Sequence, residues 1–316
     1  MHCITLGSDN PFFNLAVEEV LLKNSKEDYL ILGINKTSVI IGKHQSAHRE
    51  VNTKFITENN IPVIRRITGG GTVFHDKGNL NFTFIKQSES GKQIDFKKYT
   101  LPIIEFLSSV GVESKFEGKN DLKVDGYKIS GNAEHVYRNR VLHHGTILFS
   151  ASLDLLRNSL RKDKSAYTTR AVESNPSSVM NLNEKLSGFR DVYDFRSEMM
   201  KYFIQSNPGA EIYNLSPEDI KAADLLAETK YKTWEWNWAY CPEYTFRNTF
   251  QFKGNPHHCV LSIKDGIITS CSIEGSRELL YLSYKLVGCR HMVSDLSRVF
   301  KEENITVSED EIYNFF

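Results

Sequence analysis

Residues 65–76 read RRITGGGTVFHD, a run of three glycines between two short segments of β-favouring residues. Consecutive glycines allow positive φ and let a ligand approach the backbone, so the N–H groups of residues 69–71 can form a concavity that binds an anion. Arg66 beside them can neutralise a phosphate or a carboxylate. The alternative is a glycine-rich hairpin with two surface arginines. The stretch is not a P-loop, because no Gly-Lys-Ser/Thr follows at the required spacing.

Residues 120–133, NDLKVDGYKISGNA, form a second informative stretch. The dipeptide Asp125-Gly126 favours a tight type I′ turn between two strands. The second of these strands carries Lys128 among weakly charged neighbours. A lysine that faces a carboxylate and the α-phosphate of ATP would stabilise the charge that develops as the acid oxygen attacks phosphorus. The alternative is a solvated lysine on an exposed sheet face.

Residues 143–149, HHGTILF, place two histidines side by side. Adjacent residues of a strand point to opposite faces, so this pair cannot chelate one metal ion together. No cluster of cysteines or carboxylates accompanies the pair at ligand spacing. We therefore predict that one of the two is a hydrogen-bonded core histidine.

The first 150 residues contain more hairpin signals than strand–helix–strand alternations, which predicts an α+β fold with a mixed, mainly antiparallel sheet. Residues 29–34 and 38–41 form one predicted hairpin. The predicted helices cover residues 13–22, 100–111 and 191–204, a segment from Ser216 towards Trp234, and segments that begin at Arg277 and at Met292.

A change of pattern after Pro242 predicts two domains. Aromatic residues nearly alternate from Tyr244 to Phe252, and two strands and two helices follow. A chain of 316 residues with 40% apolar residues can bury a sizeable core. We predict a large domain over residues 1–240 and a small α+β domain over residues 244–316.

The charges balance, with 39 Lys plus Arg against 39 Asp plus Glu, so no global field recruits nucleic acid or an anionic membrane. Residues 1–10 lack the pattern of a secretory signal, and no apolar run approaches the roughly 18 to 20 residues that span a bilayer. These features predict a cytoplasmic protein. Five cysteines without CxxC spacing predict reduced thiols.

In this order, the three stretches resemble the lipoate-protein ligase A family. The resemblance implies a catalytic domain similar to those of biotin ligases and class II aminoacyl-tRNA synthetases, followed by a small accessory domain. It also includes residues 14–19 (NLAVEE), 78–82 (GNLNF), 120–122 (NDL), 128–131 (KISG), 143–146 (HHGT), 181–182 (NL) and 234–237 (WEWN).

The resemblance implies a nucleotide-binding ligase that modifies other proteins. It would use ATP, Mg²⁺ and lipoate to form the acyl-adenylate lipoyl-AMP. Lipoylation would then transfer the lipoyl group to a lysine of a carrier. The implied carriers are the apo lipoyl domains of 2-oxoacid dehydrogenase complexes or the glycine cleavage H protein. The carrier, the choice between lipoate and octanoate, and the oligomeric state stay open at this point.

Matched motif to motif, Lys128 is the implied catalytic residue, in contact with both carboxylate and phosphate. Asp121 would hold Mg²⁺. The implied ATP or adenylate site comprises Arg66, Gly71, Thr72, Val73, Phe74, Asn120, Asp121 and Lys128. The implied lipoate site comprises Gly70, Gly71, His75 and Lys128.

A loop that closes over the adenylate is expected, because an acyl-adenylate is prone to hydrolysis, and residues 171–182 are the candidate. Many relatives carry an arginine in this loop, where the chain has SNPSSV at residues 174–179. Because of this departure, whether the loop contacts the adenylate stays open at this point.

Three alternatives compete with the ligase. An octanoyl or lipoyl transferase needs a cysteine thiolate to carry the acyl group, and no cysteine lies between Cys3 and Cys241. A biotin ligase would have an arginine-rich glycine loop, which residues 68–74 lack. A non-catalytic lipoate-binding protein would not need Lys128, Asp121 and Arg66.

Overall fold

The computed structural model describes residues 1–88, 94–308 and 310–316. The chain forms two compact units. Unit 1 comprises Met1–Lys43, Pro62–Arg157 and Ser174–Lys232, and unit 2 comprises His44–Ile61, Asn158–Glu173 and Thr233–Phe316. The domains predicted over residues 1–240 and 244–316 stay a prediction. No helix in the described ranges is long and apolar enough to cross a membrane.

The described residues contain the following elements. The strands are β1 (His2–Thr5), β2 (Tyr29–Ile34), β3 (Ser38–Ile41), β4 (Val63–Arg65), β5 (Val73–His75), β6 (Asn79–Gln87), β7 (Lys115–Glu117), β8 (Asp121–Val124), β9 (Tyr127–Tyr137), β10 (Arg140–Leu148), β11 (Tyr167–Thr169), β12 (Glu211–Ile212), β13 (Tyr244–Phe252), β14 (Asn255–Lys264) and β15 (Ile267–Glu274). The α-helices are α1 (Pro11–Asn24), α2 (Ala47–Glu50), α3 (Thr53–Glu58), α4 (Phe96–Ser109), α5 (Leu153–Ser159), α6 (Val192–Ser206), α7 (Pro217–Leu226), α8 (Arg277–Leu286) and α9 (Val293–Glu302). Single turns of 3-10 helix cover Leu182–Glu184 and Glu311–Phe315, and π-helical turns cover Ala227–Tyr231 and Glu235–Ala239.

An eight-stranded sheet forms the centre of unit 1, in the order β12-β1-β2-β6-β10-β9-β8-β7. Strand β1 pairs in parallel with β12 and β2, and the other neighbours pair antiparallel. The sheet is therefore mixed and mainly antiparallel, as predicted. Helices α4 and α6 contribute buried residues, among them Ile103, Phe106 and Phe195, to the same apolar core as Leu30 and Phe82 of the sheet.

A second, three-stranded sheet in unit 1 carries β3 in its middle, paired in parallel with β4 and antiparallel with β5. The hairpin predicted between residues 29–34 and 38–41 is therefore wrong. Both edges of β2 are occupied, by β1 and by β6, so no edge remains for β3. Both β2 and β3 are buried at every position, which is typical of strands covered on two faces.

Helix α4 begins one turn before the predicted start at Thr100. The side chain of Asp95 caps it by accepting the Lys98 N–H at 3.3 Å, and Tyr99 is buried one turn before Ile103. These contacts offset the hydrogen bond that Pro102, inside the helix, cannot donate.

Helix α1 begins at Pro11, in the first helical position, and Asn10 caps it by accepting the Phe12 N–H at 3.0 Å. Its residues are buried from 14 to 22 without interruption. That run includes three polar side chains, Asn14, Glu18 and Glu19, which an amphipathic surface helix would leave in water.

Unit 2 contains the four-stranded antiparallel sheet β11-β13-β14-β15. The alternating aromatic residues from Tyr244 to Phe252 point into its core, together with residues of α8 and α9. Strand β11, from a distant part of the chain, was not predicted. Asp265 and Gly266 adopt positive φ in the turn between β14 and β15.

Candidate functional site

The glycine loop, residues 66–72, connects β4 to β5 in unit 1. Gly70 has φ +84°, a left-handed conformation that favours glycine. A Cβ on Gly42 would lie 2.1 Å from the Gly70 oxygen, and a Cβ on Gly71 would lie 3.1 Å from Ser174 Oγ. The loop is therefore packed closely on two sides.

Arg66 is buried beneath this loop. Its Nη2 donates to the carbonyl oxygens of Gly69 at 2.6 Å and Gly71 at 2.7 Å, its Nε donates to Thr68 Oγ1 at 2.7 Å, and its Nη1 donates to the Ile40 oxygen at 3.2 Å. Burial lowers the pKa of Arg66 to about 10, so the guanidinium stays charged at neutral pH. Arg66 thus fixes the peptides on both sides of Gly70.

Arg65 is also fully buried, and its Nη1 donates to the carbonyl oxygens of Gly42 and Lys43 at 3.0 Å each. A hairpin with two surface arginines is therefore excluded. Most N–H donors of the Arg66 guanidinium bind backbone oxygens of the protein. A direct contact between Arg66 and the adenylate stays a prediction.

The residues after the glycines enter strand β5. The Thr72 N–H donates to Ser174 Oγ at 2.8 Å. Val73 is partly exposed, whereas Phe74 is 2% exposed and lies opposite Val39 of β3. Val73 therefore lies at the surface beside the loop, and Phe74 packs into the interior; the ligand contacts predicted for both stay a prediction.

His75 at the end of β5 is buried, and its Nδ1 is 2.9 Å from Asn35 Nδ2. Burial, and to a smaller extent the proximity of His144 and Arg66, lowers the pKa of His75 to about 3. The imidazole is therefore neutral at neutral pH.

The hairpin of β8 and β9 has the predicted tight turn, with φ +50° at Asp125 and +81° at Gly126. Lys128 near the start of β9 forms an ion pair with Asp121 at the start of β8, with 2.8 Å between Nζ and Oδ1. Both side chains are about one-fifth exposed, at 22% and 19%. Lys128 is thus a partly buried, paired cation, which argues against a freely solvated lysine.

Strand β9 runs beside the glycine loop. A Cβ on Gly131 would lie 3.1 Å from Lys128 Nζ and 3.8 Å from Val73 Cγ1, and a Cβ on Gly70 would lie 3.9 Å from Ala133 Cβ. Two stretches more than 50 residues apart in sequence therefore meet at Gly131, and they bring together the predicted lysine and the predicted loop.

Asn120 holds the start of β8 against β9. Its Nδ2 donates to the Asn132 oxygen at 2.5 Å, and Asn132 Nδ2 donates to the Asn120 oxygen at 3.0 Å. This exchange fixes the backbone next to Asp121. The nucleotide contact predicted for Asn120 stays a prediction.

The part of the predicted lid that belongs to unit 1 lies over the same residues. The Lys128 N–H donates to the Ser178 oxygen at 2.9 Å, the Met180 N–H donates to the Lys128 oxygen at 3.2 Å, and Val179 pairs with Lys128 in parallel. Together with the contact of Ser174 to Thr72, these bonds attach residues 174–180 to β9 and to the glycine loop.

The adjacent histidines of β10 face opposite ways. His143 is fully buried and bonds to Glu134 at 2.8 Å and to Asn132 at 3.2 Å, which confirms the predicted core histidine. His144 bonds to other partners, Glu18 and Thr68, at 2.8 Å each. Across the described ranges, no group of three or more His, Cys, Asp and Glu could hold a metal ion.

Comparison with known proteins decides the family. Residues 10–204 match the family model of the lipoyl protein ligase A/B catalytic domain. The chain belongs to the lipoate-protein ligase A family. It is 35% identical to lipoate–protein ligase 1 of Staphylococcus aureus over 313 residues, which cover 97% of this chain and 93% of the relative. It is also 35% identical to lipoate-protein ligase LplJ of Bacillus subtilis over 271 residues, which cover 84% and 82%.

Solved structures agree with the fold of this lipoate ligase. P. falciparum LipL1 in complex with lipoate has a TM-score of 0.61 and 25% identity, and the match covers 99% of this chain and 96% of that one. Lipoate-protein ligase A bound with ATP has a TM-score of 0.64 and 23% identity, over 75% and 97%. The predicted fold class is confirmed.

All five cysteines of the ligase are free thiols, and Cys3 alone belongs to unit 1. Cys3 is buried in strand β1 and contributes to the apolar core, and this burial raises the pKa of its thiol. None of the five belongs to the glycine loop or to β8 and β9. A thioester mechanism therefore has no thiol among these site residues.

Several residues of the ligase site were not predicted. Gly42 and Thr68 contact the glycine loop or Arg66, Asn35 bonds to His75, and Ser174 bonds to Thr72. The signal for Gly42 is a glycine directly after a buried strand. The sequence distinguishes Ser174 only by its place in the segment where many relatives carry an arginine.

Proposed function

We propose that this ligase attaches lipoate to a carrier lysine in two half-reactions. In the first, a carboxylate oxygen of lipoate attacks the α-phosphorus of ATP, the bond from that phosphorus to the bridging oxygen breaks, and pyrophosphate leaves. In the second, the carrier amine attacks the acyl carbonyl of lipoyl-AMP, AMP leaves, and the amine loses a proton. The structures of relatives with lipoate and with ATP support these two substrates.

The observation that carries the proposal is the convergence at Gly131 of Lys128, Asp121 and Val73, the residue that directly follows the glycine loop. An ammonium at this point can contact the carboxylate and the α-phosphate together, and it opposes the negative charge that accumulates as they join. The ion pair with Asp121 holds the ammonium in place before substrate binds. Lys128 is therefore the proposed catalytic residue.

The glycine loop is the proposed binding surface for the adenylate. Its glycines let the ligand approach the backbone, and Arg66 fixes their peptides through the carbonyl oxygens of Gly69 and Gly71. We assign Gly70, Gly71 and Thr72 to backbone contacts with the ligand, and the side chain of Val73 to an apolar contact. Arg66 acts from below, where its charge also favours an anion.

Three further predicted residues are assigned to positions around the ligand. Phe74 packs beneath the ligand surface, and Asn120 sets the backbone at Asp121. His75 contributes a neutral imidazole to the lipoate side.

One carboxylate, Asp121, is available for a magnesium ion. Mg²⁺ in nucleotide sites is commonly held by one or two carboxylates together with substrate phosphates and water, and the donor set here fits that mode. Mg²⁺ bound there would neutralise phosphate charge. The ion pair of Asp121 with Lys128 keeps this carboxylate beside the reaction centre.

The proposed acceptor is a lipoyl domain. A homologous structure describes a bi-partite lipoate protein ligase of Thermoplasma acidophilum and its E2 lipoyl domain. The same class of carrier, or the glycine cleavage H protein, is the proposed partner of this chain.

Pyrophosphate release tests the order of the steps. The protein is incubated with ATP, Mg²⁺ and lipoate, with and without an apo lipoyl domain, and the products are weighed by mass spectrometry. We expect lipoate-dependent pyrophosphate release without carrier, and a carrier heavier by one lipoyl group when it is present. Release that occurs only with carrier would contradict a free adenylate stage.

A further inference from the structure

Helix α1 buries three polar side chains, and burial of such groups is unfavourable unless they are hydrogen-bonded. Glu19 is satisfied close by, with Lys23, Lys230 and Tyr231 within 2.5 to 2.7 Å of its oxygens. Asn14 and Glu18 differ. They are four residues apart, on one face of the helix, and each begins a chain of hydrogen bonds that ends at the glycine-loop site.

The first chain begins at Asn14. Its Nδ2 donates to the Ser8 oxygen at 2.9 Å and to Asn35 Oδ1 at 2.7 Å. Because Asn35 accepts with its oxygen, its Nδ2 faces His75 Nδ1 and donates to it at 2.9 Å. His75 Nδ1 is then an acceptor, and the single proton of the neutral ring is on Nε2.

The second chain begins at Glu18, whose Oε1 accepts from Thr83 Oγ1 at 2.6 Å. Its Oε2 is 2.8 Å from His144 Nδ1, and a carboxylate only accepts, so His144 carries a proton on Nδ1. Thr68 Oγ1 accepts from Arg66 Nε at 2.7 Å and can donate its own proton to His144 Nε2 at 2.8 Å. Of the two neutral tautomers of His144, only the Nδ1–H form satisfies all these bonds, and it is opposite to that of His75.

We infer that Asn14 and Glu18 are positioning residues, which act through two histidines of opposite tautomer on the glycine-loop site. Asn14 orients the amide of Asn35, and this amide donates to His75 Nδ1. The proton of the His75 ring is therefore on Nε2, which can act as a donor. Through His144 and Thr68, Glu18 braces the guanidinium of Arg66 under the loop. The inference rests on the proposed function in one respect, that the ligand of His75 is an oxygen of the acyl-adenylate.

The surroundings of His75 agree with a donor role. His75 is 5% exposed, and among the described residues the hydrogen bond of its ring is the one from Asn35 to Nδ1. Because burial lowers the pKa of His75 to about 3, the ring is neutral near pH 7 and Nε2–H is available as a donor. A tautomer fixed in advance costs no reorganisation when the substrate binds.

Adjacent carboxylates of α1 provide a matched pair of variants. We expect Glu18→Gln to lower kcat/KM for adenylation by roughly 10-fold, less than the loss of a direct donor, since it acts through His144 and Thr68. Glu19→Gln should stay within about 2-fold, although it leaves Lys23 and Lys230 without their carboxylate and should lose more stability. Urea unfolding of both variants checks that order. Equal losses of kcat/KM, or a larger loss in Glu19→Gln, would overturn the assignment.

Histidine NMR tests the two chains without reference to activity. In ¹⁵N-histidine-labelled protein, we expect His75 to be the Nε2–H tautomer and His144 the Nδ1–H tautomer, with signals assigned from His75→Gln and His144→Gln. In Asn35→Asp, a carboxylate faces Nδ1 of His75, so the proton should appear there. The same tautomer at both histidines of the parent, or an unchanged His75 signal in a folded Asn35→Asp, would overturn the inference even if adenylation proceeds as proposed.

Discussion

Replacing Lys128 with alanine removes a side-chain cation from beside Gly131, where a Cβ would lie 3.1 Å from Lys128 Nζ and 3.8 Å from Val73 Cγ1. The strand should persist, because β9 is bonded to β8 and β10 along its length. The Lys128–Asp121 pair is partly exposed, so its loss should cost no more than about 1 kcal/mol of unfolding free energy. The effect should therefore be on catalysis.

The magnitude follows from the charge that Lys128 faces. Two unit charges about 4 Å apart interact by about 4 kcal/mol at an effective dielectric constant near 20, and a partly exposed lysine realises a fraction of this. Loss of one preorganised charged donor typically costs about 10²-fold in rate, or about 2.7 kcal/mol. We expect Lys128→Ala to lower lipoate adenylation by roughly 10²-fold or more.

Lys123 provides the control. It lies opposite Lys128 in the β8–β9 register, its side chain is 29% exposed, and its Nζ is 3.0 Å from Glu117 Oε2. Lys123→Ala removes a similar charge from the same hairpin and should change adenylation little. The assay is lipoate-dependent pyrophosphate release in single-turnover conditions, beside urea unfolding. A folded Lys128→Ala with near-normal adenylation, or an equal loss in Lys123→Ala, would refute the reasoning.

Three further expectations concern the lid, the cysteines and unit 2. Gly71→Ala places a Cβ 3.1 Å from Ser174 Oγ and should raise the KM for ATP several-fold; Ser174→Gly should relieve this in a double-mutant cycle. Replacing all five cysteines by serine, or alanine where buried, should leave lipoylation within a few-fold, and a hydroxylamine-sensitive acyl-enzyme in the parent would contradict this. Burial lowers the pKa of His291 to about 4 and that of His48 well below its usual value, so the unfolded state binds more protons below about pH 6.5. Unit 2 should therefore lose stability progressively as the pH falls from about 6.5, and the loss from His291 alone should reach on the order of 3 kcal/mol by about pH 4. Fluorescence of the three tryptophans, all in unit 2, monitors this unfolding, and equal stability at pH 5 and pH 7 would contradict it.

Local chemistry predicted the hairpin around Asp125-Gly126 and the class of the main sheet. A turn of this kind is determined by two residues that tolerate positive φ, and both adopt it. The same holds for α7, where Ser216 caps the helix and Pro217 begins it. Signals of this kind depend on neighbours in sequence, so they can be recognised without the fold.

The pairing of strands could not be predicted in the same way. Apolar runs such as β2 and β3 are compatible with any buried strand position. In the structure, β1 and β6 pair with the two edges of β2, and β3 therefore belongs to another sheet. Strand β11 has three residues and pairs with β13, 75 or more positions later in the chain. Such pairing depends on the assembled core.

The candidate site shows the same division. The sequence predicted Lys128 and the stretch of residues 65–76, and the structure brings Lys128 and Val73 of that stretch together at Gly131. The sequence did not predict that Arg66 would donate to carbonyl oxygens of the loop, because the burial of an arginine depends on the elements that pack over it. Nor did it predict Ser174, whose hydroxyl is informative only beside the Thr72 N–H.

The ion pair of Lys128 and Asp121 is compatible with the double contact that the proposed reaction requires. An ammonium has three N–H donors, and Asp121 accepts one of them. Within the described residues, two donors remain, one for a carboxylate oxygen of lipoate and one for an oxygen of the α-phosphate. The carboxylate of Asp121 orients the other two donors and balances the charge of the lysine in a protein whose net charge is zero. Asp121 can therefore hold Lys128 in position before the substrates arrive, and Lys128 can bind both substrates while this ion pair stays intact.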